Sequence, residues 1–166
     1  MRRLLLVLSV VLLCWSSVPL AQGSRGDFGF GIILGEPTGA TVKYWFSGQT
    51  ALAASIGGSY FGAPRLQVDY LWHFDAFESR IIGLYAAPGL ALGFGNGNGY
   101  WYKEKHGDFY YKNDNELGLG IRGVFGLNVI PRRTPLEIFL EAGALIGLAP
   151  DFGSAMDLAL GIRFYP

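Results

Sequence analysis

From about residue 27 to the C-terminus, hydrophobic residues recur at every second position. This is the period of a β-strand whose two faces meet different surroundings. Leu66, Val68, Tyr70, Trp72 and Phe74 form one face, and Gln67, Asp69, Leu71 and His73 form the other. Leu117, Leu119, Ile121, Phe125, Leu127 and Val129 stand against Gly118, Gly120, Arg122, Val124, Gly126 and Asn128. Leu158, Leu160, Ile162 and Phe164 stand against Asp157, Ala159, Gly161, Arg163 and Tyr165, and Leu136, Ile138, Leu140, Ala142 and Ala144 stand opposite Glu137 and Glu141. Eight such segments begin near Asp27, Gly39, Thr50, Arg65, Arg80, Glu116, Pro135 and Ala155. Most run about nine to fourteen residues, longer than the usual five or six and suited to a tilted strand that crosses a bilayer in about nine to eleven.

The connectors alternate too. Ser47–Thr50, Asp75–Ser79 and Pro131–Pro135 read as short turns, and Gly57–Pro64, Gly95–Asn115 and Ala149–Ser154 as longer loops; Gly35–Thr38 is tight where a long loop would belong. An even strand number with short turns on one side and longer loops on the other predicts an all-β fold, a closed antiparallel up-and-down transmembrane barrel of about eight strands. Lipid offers no hydrogen bonds, so a spanning sheet must close on itself, with the apolar face outward and the mixed face inward. Lys43, Asp69, Arg122, Glu137, Glu141, Asp157 and Arg163 all fall on the inward face. Both signs are present, so they can form a neutralising charge network, and an eight-stranded barrel is just wide enough for side chains to fill it. The expectation is a plugged barrel whose inward glycines leave room for long Arg and Lys side chains. Pro88, mid-strand, predicts a bulge or a shortened strand there.

The first segment is of another kind. Met1-Arg2-Arg3 precedes an almost unbroken apolar run from Leu4 to Trp15, then Ser16, Ser17, Pro19 and the small-residue site Ala21-Gln22-Gly23. That is the layout of a secretory signal peptide over residues 1–23, with cleavage after Gly23 or after Ala21. The run is shorter than the roughly 20 residues of a spanning helix. The expected mature domain is residues 24–166, without Cys14, and removing Arg2 and Arg3 leaves 11 basic against 13 acidic residues, a net charge of −2. Charged residues are only 16% of the chain and the formal net charge is zero, which argues against a nucleic-acid binder, since that needs a basic stripe.

Aromatic clusters fall at predicted strand ends: Tyr44, Trp45 and Phe46; Trp72 and Phe74; Phe164 and Tyr165. With a periplasmic N-terminus all three lie on the periplasmic side, as an interfacial girdle would, with Tyr60 and Phe61 at the opposite rim. Here the chain resembles the small outer-membrane β-barrel superfamily, similar to the membrane domain of outer-membrane protein A, over roughly residues 27–166. Gly35-Glu36-Pro37-Thr38-Gly39 followed by the strand to Trp45 resembles a Gly-x-Pro-Thr-Gly turn and strand of uncharacterised bacterial barrels. The last strand resembles the signal read by the barrel-assembly machinery, although the chain ends in Tyr165-Pro166 where the family usually ends in Phe or Trp. The resemblance implies export to the bacterial outer membrane, with lipid and that machinery as partners.

Other motifs carry less. Gly118-x-Gly120-x-x-Gly123 matches a dinucleotide fingerprint but lies within one strand, without the following helix the motif needs. Arg25-Gly26-Asp27 matches a cell-adhesion tripeptide, but over three residues only and on the predicted periplasmic side, and His73, one of two histidines, reads as a polar tip at the rim. No cofactor, metal ligand set or catalytic group is expected, and no nucleic-acid partner. The segment 95–115 is the most distinctive: Tyr100, Trp101, Tyr102, Lys103, Lys105, Phe109, Tyr110 and Tyr111 suit either a strand-extending hairpin or a recognition surface for an extracellular partner. The favoured function is a non-catalytic outer-membrane barrel with a structural or surface-binding role. A soluble lipocalin-like barrel holding a small apolar ligand is the alternative, followed by a lipid-modifying barrel enzyme.

Overall fold

The computed structural model describes residues 26–74, 77, 79, 81–95, 117–131, 134–150 and 152–166. Residues 1–23, read above as a signal peptide, and nearly all of the segment 95–115, with its eight candidate recognition residues, lie outside the described residues. Eight strands form: β1 (Phe28–Gly35), β2 (Thr38–Trp45), β3 (Thr50–Ser59), β4 (Gly62–Phe74), β5 (Ile82–Gly93), β6 (Gly118–Val129), β7 (Leu136–Ala149) and β8 (Gly153–Phe164). Each pairs antiparallel with its sequence neighbours, and β8 pairs with β1, closing a barrel. Alternation thus located all eight strands.

The register sets the barrel's dimensions. Stepping from Gly31 through its partners Thr41, Ser55, Gln67, Ala91, Gly120 and Gly147 leads to Gly153, yet the β8 residue paired with Gly31 is Arg163, ten residues on. With about 3.3 Å per residue along a strand and about 4.8 Å between strands, this stagger tilts the strands by about 40° and gives a backbone radius of about 8 Å.

Two expectations about connections need correction. Gly57–Pro64 and Ala149–Ser154 are not long loops: only Tyr60 and Phe61 separate β3 from β4, and residues 150–152 separate β7 from β8. Glycine runs read as loops because glycine weakens most strands, but here they allow close backbone approach. A Cβ on Gly62 would lie 2.5 Å from the Gly93 Cα. The connections at the end holding the chain termini (46–49, 75–81 and 130–135) are therefore longer than three of the four at the other end, which we call the loop end. Pro88 makes no bulge either. It is exposed on the outer face, its pairing with β6 is continuous, and the β4–β5 register is the same on both sides of a gap opposite Tyr70 and Leu71. Register shifts occur instead at Gly57/Ser59 and Leu119/Gly120.

The tight β1–β2 turn has a local cause. Gly35 adopts φ 114°, a region that disfavours side chains, and Thr38 Oγ1 accepts from Gly35 N–H at 3.0 Å and donates to Gly35 C=O at 2.9 Å.

Candidate functional site

Every Asp, Glu, Lys and Arg within a strand points into the barrel. The outer face of the strands carries no charge, and it exposes aliphatic and aromatic side chains around the whole circumference, from Ile32 and Leu34 on β1 to Leu158 and Leu160 on β8. The site is therefore the lumen. The structure brings together all seven inward charges read from the sequence, and adds Arg65, which the sequence reading missed because it adjoins a segment that reads as loop. Four cations and four carboxylates result, none more than 4% exposed.

They form three tiers. Nearest the termini, Glu137 is the hub. Its Oε1 accepts from Lys43 Nζ at 2.7 Å and from Asn128 Nδ2 at 2.8 Å, and its Oε2 accepts from the Tyr165 hydroxyl. Arg163 lies 3.6 Å from Glu137, donates to Thr41 Oγ1 at 3.0 Å through Nη2, and stacks 3.8 Å over the Phe139 ring. In the middle tier Arg122 reaches Asp69 at 3.2 Å and Glu141 at 3.4 Å, while Tyr85 donates to Glu141 at 2.8 Å. At the loop end Arg65 holds Asp157 through both terminal nitrogens, at 2.5 and 3.2 Å, and Tyr60 donates to the same carboxylate. Arg122 Nε, 3.6 Å from Asp157, links the upper two tiers.

These contacts bolt walls that are distant in sequence: β2 to β7 through Lys43–Glu137, β4 to β6 through Asp69–Arg122, and β4 to β8 through Arg65–Asp157. Burial and the adjacent carboxylates hold the Tyr60 and Tyr165 phenols above their ordinary pKa, so both remain donors.

Several aromatics differ from the girdle expectation. Tyr44, Phe46, Trp72, Phe74 and Phe164 do face outward at the terminal end, but Tyr165 is buried on Glu137 and Trp45 lies half-buried over His73, with ring centroids 4.3 Å apart. Tyr60 and Phe61, expected at the rim, turn into the lumen. His73 is not a solvated tip: it is buried, 3.1 Å from Lys43 Nζ through Nε2 and 3.2 Å from the Gln49 carbonyl through Nδ1. Alternation had placed Tyr165 and His73 on the inward face; proximity to a strand end was the misleading signal.

The glycines make room for rings more than for arginines. A Cβ on Gly126 would enter the Tyr85 ring, one on Gly161 the Phe139 ring, and one on Gly29 would lie 2.6 Å from Tyr165. Gly126→Val is expected to displace Tyr85 from Glu141 and to lower stability by about 1–3 kcal/mol, the usual cost of overpacking. A denaturant titration against the parent protein checks this, and an unchanged midpoint would contradict the tight fit.

Among the described residues no group of His, Cys, Asp and Glu is arranged to hold a metal ion. No protein-family model matches the chain, and no curated protein matches it in sequence.

Proposed function

We propose that this protein is a non-catalytic bacterial outer-membrane β-barrel with a plugged lumen, akin to the small barrels of the outer-membrane protein A type. Its role on this reading is structural, or surface-binding through the segment 95–115. The observation that carries the membrane reading is the uncharged, apolar outer surface around the closed wall. Soluble monomers rarely expose apolar patches beyond a few hundred Å², and this one encircles the molecule. The dimensions agree: a 12-residue strand such as β6, tilted about 40° and rising about 3.3 Å per residue, stands about 30 Å tall, close to the thickness of the hydrocarbon core. The aromatics Phe28, Tyr44, Phe46, Trp72, Phe74 and Phe164 gather at the terminal end of the outer face, where an interfacial belt belongs. A lipocalin-like carrier needs the opposite distribution, with polar side chains outside and an apolar lumen.

The test is a gel of protein from purified outer membranes, run unheated and boiled in detergent. Recovery in that fraction with different mobilities for the two samples is expected. Recovery as soluble periplasmic protein with no shift would overturn the proposal. The Tyr- and Trp-rich segment 95–115 is then the place to search for an extracellular partner.

A further inference from the structure

The first half of β8 is paired on one side only. Its ladder with β1 runs from Phe164 to Ala159, the partner of Gly35, and ends where Glu36 N–H donates to the Leu158 carbonyl at 3.0 Å. With β7 it stays in register up to Gly153. β1 and β2 stop at their tight turn, while β8 continues from Leu158 to Gly153 for about 16 Å, at about 3.3 Å per residue. In an antiparallel strand the N–H and C=O of one residue point to the same side, and those of the next residue to the other. Leu158 points to β1, so Met156 and Ser154 do too, and their N–H and C=O groups meet no backbone partner among the described residues.

We propose that this free edge of β8 is a docking site for an extended peptide segment of a partner protein, which adds to the wall as a strand where a longer β1 would lie and brings a cationic side chain to Glu36. Free edges invite such pairing and are usually blunted by a charge, a proline or a bulge. Here the outward residues are Ser154, Met156 and Leu158, the register is unbroken, and the inward Asp157 is already neutralised by Arg65.

Three observations define the partner. The unpaired groups are backbone donors and acceptors at strand spacing, which an extended polypeptide matches. Phe152, Met156 and Leu158 are 77%, 83% and 61% exposed, so the outward side chains of the added strand meet an apolar surface. The half-buried Glu36 carboxylate accepts from Tyr60 N–H at 3.2 Å and forms no ion pair among the described residues, so it calls for a cation. Behind the edge Tyr60 bridges from the β3–β4 connection to Asp157, so the segment lies in the wall and not in the lumen. A second copy does not fit on the membrane reading. Two barrels inserted the same way are related by an axis along the bilayer normal, and strands tilted about 40° would then cross at about 80°, too steeply for a ladder. The edge itself belongs to the barrel wall and does not depend on that reading.

The test reads backbone hydrogen exchange in the isotope-labelled chain of residues 24–166, folded in detergent micelles. In the free protein the Ser154 and Met156 amides are expected to exchange about tenfold or more faster than those of Ala155 and Asp157, which face β7. The probe is an eight-residue peptide of alternating valine and threonine with one central threonine replaced by lysine. In excess it is expected to slow exchange at Ser154 and Met156 by about tenfold. Met156→Pro removes an N–H that faces no strand, where proline is tolerated, so it is expected to stay folded and to lose the protection at Ser154. Exchange unchanged by the peptide would overturn the proposal, as would equal protection in folded Met156→Pro. Protection already present in the free protein would overturn it too: protection lost on dilution would place a second copy on the edge, and protection that persists would place the chain itself there. A peptide with glutamate for lysine is expected to protect less, and equal protection would overturn the role of Glu36. Should Met156→Pro fail to fold, exchange in the parent protein with and without the peptide decides. The gel described above decides the membrane reading separately; were that reading to fail, the same exchange is read on monomeric protein without detergent.

Discussion

Glu137→Ala is expected to destabilise the barrel by about 3–5 kcal/mol, the range for removing one partner of a buried ion pair. Glu137 accepts from Lys43, Asn128 and Tyr165 and lies 3.6 Å from Arg163, so its loss leaves two buried cations and two buried donors facing each other. The penalty is mainly that of the stranded partners rather than the worth of the pair. A second variant separates these: Lys43→Met combined with Glu137→Met removes one charge of each sign and replaces them with apolar volume. It is expected to regain a substantial part of the loss. Reversible urea titration of the parent, the single variant and the double variant gives all three stabilities. A single variant within about 0.5 kcal/mol of the parent, the range of an ordinary surface substitution, would show that the hub carries no such load.

On the outer face the expected sensitivity has the opposite cause. Leu160 is half exposed and lies mid-strand between Leu34 and Leu140. An arginine there meets hydrocarbon if the barrel spans a bilayer, and Leu160→Arg should cost about 2–4 kcal/mol. Ser154→Arg, near the loop end of the same strand, should cost about 0–1 kcal/mol, as a charge close to the interface does. Were the same face in water, both changes would stay within about 0.5 kcal/mol. The gradient between the two positions, measured by urea titration in lipid vesicles, is therefore more informative than either value alone.

Alternation made the strands and their faces legible because a barrel wall separates two unlike environments at every residue. It assigned Lys43 and Glu137 to the inside without showing that they meet, since β2 and β7 are not neighbours in the sheet and their relative height follows from the accumulated stagger. For the same reason the tiers were not legible, nor was the sharing of Asp157 between Arg65 and Arg122. Strand ends were misread where glycine served close approach. Counting Gly57–Pro64 as loop hid Arg65, the cation that the inward carboxylates needed to balance. Tyr165, Trp45, Tyr60 and Phe61 were drawn towards a girdle because aromatics near strand ends fit one. The structure uses these four to close and brace the lumen, with Tyr165 over Gly29 and Phe61 beside Gly93 and Gly120, where missing side chains leave space for the two rings.

The two tryptophans at the terminal end give the most direct test of the membrane assignment, because they differ in little except the side of the wall they occupy. Trp72 is 57% exposed on the outer face, and Trp45 is held inside, its indole nitrogen donating to Tyr165 at 3.3 Å. Chains of residues 24–166 carrying each as the sole tryptophan would be folded into vesicles whose acyl chains bear bromine, a contact quencher of indole fluorescence. The expected result is strong quenching of Trp72 with Trp45 largely spared. Failure of the protein to float with the vesicles, or equal emission from Trp72 with and without bromine, would contradict a bilayer around this barrel.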